Sequence, residues 1–159
     1  MSTANLLRER IANRGAAPAR FQAISAPVPA HVASAQSDAF VPDQVLARAG
    51  EITRTEADQL AFGAIRVDGA GVIQIYNRAQ AEFAGVDPEA AEGRNFFTSL
   101  APCTNNRLFR GRFTEAAARG ALDESFSYAF SYRARVTLVR VRLYRAGASG
   151  PAWIFLQPA

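Results

Sequence analysis

Cys103 is the single cysteine of a 159-residue chain, and it closes the stretch Gly93-Arg-Asn-Phe-Phe-Thr-Ser-Leu-Ala-Pro-Cys103. A thiol can serve as nucleophile, metal ligand, disulfide partner or covalent anchor. One cysteine makes no internal disulfide. A cysteine hydrolase needs a positioned base, and the only histidine, His31, falls in a stretch rich in Ala, Pro and Ser. One Cys and one linker His do not build a metal site. The residues alone leave two readings open. One is an inert thiol packed as a small hydrophobe. The other is a covalent anchor on a stiff loop, since Pro102 fixes its own φ and restricts Ala101. Phe96 and Phe97 supply apolar surface close by in sequence.

The elements that must hold this loop follow from periodicity. Residues 4–14 can form a short amphipathic helix with Leu6, Leu7 and Ile11 on one side, marginal unless it docks on a surface. Residues 15–40 have a linker's composition. Order is expected from Val41, with two short helices at 42–49 and 55–60, the second capped by Thr55. Runs 61–67 and 72–77 are strand-like, joined by Asp68-Gly-Ala-Gly71 in a hairpin. A helical piece over 78–84 stops at Gly85, and Asp87-Pro88 opens another. Residues 95–106 form a loop. An amphipathic helix over 107–119 ends at Gly120.

The last third is strand. Residues 125–132 alternate strictly, with Phe126, Tyr128, Phe130 and Tyr132 on one face. In 139–145 the Val139, Val141 and Leu143 face opposes Arg140, Arg142 and Tyr144, and 152–157 follows the Gly150-Pro151 break. Strand, strand, short helices and three strands define an α+β fold of the PAS type. It has a central antiparallel five-stranded sheet, short helices on one face and an N-terminal helical cap. Such domains bind a small ligand between sheet and helices, and the order says nothing about which ligand.

Composition narrows the function. Net charge is +4 and all 18 basic residues are arginine, spread along the chain rather than gathered in the basic stripe of a nucleic-acid binder. No apolar run approaches the roughly 20 residues of a membrane span, and residues 1–15 lack the apolar core of a secretory signal. A cytoplasmic protein that binds neither nucleic acid nor membrane is expected, as monomer or weak homodimer.

From about Val41 onward the chain resembles the photoactive yellow protein family. The matching segments are Leu60-Ala-Phe-Gly-Ala-Ile65, Val67-Asp-Gly69, Tyr76-Asn77, Asn95-Phe-Phe97, Ala101-Pro-Cys-Thr104, Phe126-Ser-Tyr-Ala-Phe-Ser-Tyr132 and Trp153-Ile-Phe155. The resemblance implies a 41–159 PAS domain behind a 1–40 extension. It implies a blue-light receptor, not an enzyme, whose p-coumaric acid chromophore is thioester-linked to Cys103 and whose trans/cis isomerisation drives a conformational signal. Tyr76 and Gln80 take the positions that hydrogen-bond the chromophore's phenolate. Phe62, Ala84, Val86, Phe96, Phe130 and Tyr132 are expected around the pocket.

Three positions depart from the family pattern. Gln80 stands for its buried glutamic acid, Ala84 for a threonine that bonds the tyrosine, and Val86 for an arginine that shields the chromophore. An amide donates a hydrogen bond but yields no proton. These departures feed an alternative: a diverged PAS domain without chromophore, acting as a ligand-binding or protein-interaction module. Either way the output passes to an unknown signalling protein, through residues 1–40 or through the cap at about 41–60.

Overall fold

The computed structural model describes residues 39–132 and 135–159, Tyr132 by its backbone alone. The expected helix over 4–14, His31 and the linker up to residue 38 lie outside the described residues, and Phe40, expected in the linker, packs instead against Phe62. Five strands form one antiparallel sheet in the order β2-β1-β5-β4-β3, with β1 Gly63–Val67, β2 Ile73–Tyr76, β3 Leu122–Tyr132, β4 Arg135–Arg145 and β5 Ala152–Pro158. β3 and β4 are each longer than their alternating cores suggested.

The two faces are covered differently. On one face, helices α1 (Asp43–Ala47) and α2 (Arg54–Asp58) form the cap. Leu46, Ile52, Phe62, Ala64, Trp153 and Phe155 pack beneath it. Trp153 Nε1 donates to the Ala49 carbonyl at 2.7 Å, which pins the chain between the two helices to β5. On the other face, Ile65, Phe96, Phe97, Phe109, Phe113, Val141 and Ile154 build the larger core. It lies under α3 (Arg78–Ala84), α4 (Pro88–Ala91) and α5 (Arg112–Ala118). β5 is buried on both faces, so its sequence is a continuous apolar run without alternation.

Local chemistry explains the ends of these elements. The second cap helix starts at Thr53, not Thr55: Thr53 and Glu56 make a reciprocal capping box. Ile52 just before the cap and Ala57 in the first turn are both buried, whereas a Thr55 cap would put Arg54 and Gln59 there. Gly85 ends α3 with φ of 66°, a left-handed conformation that favours glycine. Arg140 and Arg142 are not on a bare face. The Arg142 side chain is 18% exposed and pairs with Asp123 at 2.7 Å, and the Arg140 guanidinium lies 5.5 Å from the Phe40 ring.

Candidate functional site

The segment carrying Cys103 is helical rather than irregular. Phe96–Leu100 and Arg107–Gly111 are π-helical turns, and Pro102–Thr104 is a 3₁₀ turn between them. An asparagine opens each π turn. The Asn95 side-chain oxygen accepts from the Phe97 and Thr98 amides, and that of Asn106 from the Leu108 and Phe109 amides. Each wide turn adds a residue to the helical repeat and swings the chain, a geometry common at functional sites. Asn106 therefore starts the next helix.

Cys103 is half-buried and makes no disulfide. Its backbone is held tightly. The Cys103 carbonyl accepts from the Tyr128 hydroxyl at 2.6 Å and from Asn106 Nδ2 at 2.8 Å, and Asn106 Nδ2 also donates to Tyr128 Oη. Thr104, fully buried, donates its hydroxyl to the Ala101 carbonyl at 2.7 Å. The thiol thus stands on a turn clamped from β3.

Tyr76 ends β2 and is buried. Asn77, next in the chain, organises the passage from β2 into α3. Its Nδ2 donates to the carbonyls of Ala57 and Phe62, and its Oδ1 accepts from the amides of Ala64 and Gln80, all at 2.8–3.0 Å. One fully buried side chain with its hydrogen bonds satisfied joins α2, β1 and the start of α3. That junction sets where Gln80 begins its turn. Gln80 is only 5% exposed, and its Oε1 is buried without a hydrogen-bond partner. The oxygen lies against Gly63: a Cβ there would stand 2.1 Å from it. A buried, unpartnered amide oxygen is costly, and such atoms in native sites call for a ligand or a function.

These residues share one cavity of about 510 Å³, within the size range of small-molecule sites. Tyr76, Gln80, Ala84, Val86, Phe96, Cys103 and Phe130 all line it. Phe62 does not. It packs edge-on against Phe40 and Phe155 on the cap face, because it is in phase with Ala64 and out of phase with Ile65 and Val67. The Tyr132 side chain is not among the described groups. Residues that sequence reasoning did not single out complete the wall: Phe83, Leu100, Ser131, Arg135, Thr137 and Leu156. No spacing signal marks them: the sheet register brings in Ser131, Arg135, Thr137 and Leu156, and Phe83 and Leu100 come from α3 and the first π turn. Among the described lining residues there is no Asp or Glu, and no described cluster of three His, Cys, Asp or Glu offers a metal site.

Sheet order, cap and a partly open cavity between sheet and helices define a PAS-fold domain. The family model described as "PAS fold" matches residues 51–155. The chain is 39% identical over 118 residues to photoactive yellow protein of Rhodothalassium salexigens, covering 74% of this chain and 94% of that one. It is 37% identical to that of Halochromatium salexigens, with the same coverage. It also resembles the solved photoactive yellow protein domain from the sensor histidine kinase Ppr of Rhodospirillum centenum. There the TM-score is 0.65 and the identity 40%, over 70% of this chain and 97% of that one. The chain belongs to the photoactive yellow protein family.

Proposed function

We propose that this protein is a blue-light receptor carrying a p-coumaroyl group as a thioester on Cys103. The observation that carries the reading is the shared cavity. One free, half-buried thiol opens onto the same space as buried Tyr76 and Gln80, and Gln80 keeps an unpartnered amide oxygen. An aromatic acyl group with a polar far end fits that set: a sulfur to attach it, apolar walls to enclose it, and polar side chains to receive its hydroxyl.

The bound group would supply absorption of visible light and rotation about its double bond. The chain does the rest. Cys103 holds the acyl end, fixed by the Tyr128 and Asn106 bonds to its carbonyl. The Tyr76 hydroxyl and the Gln80 amide N–H groups are the donors that orient the polar end and offset the cost of burying charge there. Val86, Phe96, Phe130 and Leu156 exclude water. Gln80 keeps its amide protons, so the described lining of this cavity offers no buried carboxyl as proton donor.

The output passes to a signalling partner through the cap or residues 1–40. The related domain from Ppr belongs to a sensor histidine kinase. Among the described residues no helix is long and apolar enough to cross a membrane.

The test is optical. Protein loaded with activated p-coumaric acid is followed by absorption during and after a blue flash. The reading expects a visible band that bleaches and recovers in the dark. A loaded protein whose spectrum ignores light would leave a PAS module for some other ligand or partner.

A further inference from the structure

β2 is an edge strand, and Tyr76 is its last residue. The Asn77 amide bonds across to the Ala64 carbonyl, so the Tyr76 amide points the other way, off the sheet. Earlier along this edge the backbone of residues 93–94 supplies partners: the Gly93 amide bonds the Ile73 carbonyl, and the Ile73 amide bonds the Arg94 carbonyl. At Tyr76 a side chain takes over. Glu92 Oε1 accepts the Tyr76 amide at 3.0 Å. The same oxygen receives the guanidinium of Arg54, 38 residues away in sequence and the first residue of cap helix α2. That bond pushes the Arg54 pKa up, with the Glu92 charge adding to it and desolvation opposing.

We propose that Glu92 is a positioning residue for Tyr76 and that, through Arg54, it couples the pocket to the cap. One carboxylate oxygen joins the backbone of a cavity residue to the helix on the opposite face of the sheet. A shift of Tyr76 alters the partner of Arg54, and release of α2 alters the partner of the Tyr76 amide. The Asn77 bond to Ala57 is a second tie between the same regions, but it is buried and neutral. The Glu92 bridge is charged and partly open, with side-chain exposures of 46% for Arg54 and 24% for Glu92. It is therefore the tie that can break without unfolding the core. The coupling belongs to the chain with or without a bound group; only its use as a light signal rests on the proposed function.

The experiment reads one end while changing the other. Hydrogen exchange is measured on the full chain without a chromophore, at the Tyr76 amide, with the Val67 amide of β1 as control. Arg54→Gln is expected to speed exchange at Tyr76 by about two- to fivefold, the range for one exposed charge-assisted bond. Val67 is expected to stay unchanged. Arg54→Lys keeps the charge and restores most of the protection. Exchange at Tyr76 unaltered in Arg54→Gln, or not restored in Arg54→Lys, overturns the coupling. Repeating the measurement on loaded protein in light separates the two ideas. A light-insensitive loaded chain that still shows the Arg54 effect loses the photoreceptor reading and keeps the bridge.

Discussion

The side-chain oxygen of Gln80 rests against Gly63, where a Cβ would stand 2.1 Å away. β1 therefore needs glycine at this point for α3 to send an amide into the cavity. Gly63→Ala must push Gln80 aside or bend β1. The expected cost is about 1–3 kcal/mol, typical of overpacking, read by urea denaturation. In loaded protein the visible band should also move. A destabilised variant with an unmoved band would separate Gln80 from the ligand.

Gln80→Glu tests the chemistry of the same position. A neutral amide localises negative charge on a bound phenolate less tightly than a carboxylic acid does. The glutamate variant is expected to shift the visible band to shorter wavelength and to change the photocycle rate, because a buried proton donor then exists. A band that stays put or moves to longer wavelength removes Gln80 from the phenolate site.

Asn77 joins three elements from a fully buried position. Asn77→Ala leaves the Ala57 and Phe62 carbonyls and the Ala64 and Gln80 amides without this partner. A loss of about 3 kcal/mol or more is expected, since each buried group left unsatisfied costs about 1–3. Denaturation midpoints check it, and a loss below about 1 kcal/mol would mean the junction relaxes around the gap.

The cap carries a pH dependence. Glu56 is held below its ordinary pKa of 4.5 by the Thr53 backbone amide first, then by Arg48 and the Thr53 hydroxyl. A lowered folded-state pKa means the ionised form favours the fold. That stability is fully present above the unfolded value and is lost as pH falls through the folded one. Amide protection in residues 53–58, taken relative to the intrinsic exchange rate at each pH, should therefore fall on acidification below about pH 4.5, and Glu56→Gln should flatten the response. A cap equally acid-sensitive without Glu56 would place the titration elsewhere.

Much of this site was legible because distinct residues carry it. The lone Cys behind Pro102 stands out by type, Tyr76 and Gln80 enter only through the family resemblance, and the element order comes from periodicity and turn residues. Phe62 was misplaced for a physical reason. In a sheet covered on both sides, alternation disappears, so Ala61-Phe-Gly-Ala-Ile65 does not reveal which residues face the cavity. The Thr53 cap was readable: Thr53 and Glu56 match the capping-box spacing, and buried Ile52 decides against Thr55. Glu92 was not readable. Its partners lie 16 and 38 residues away and meet only once the β2 edge and α2 are in place.

The central claim is that Cys103 carries the ligand, and intact mass tests it most directly. After incubation with an activated p-coumaroyl donor, the account predicts one added coumaroyl group per chain, absent from Cys103→Ala and released by hydroxylamine as expected of a thioester. An unmodified wild-type chain, or an adduct that persists in Cys103→Ala, would contradict it.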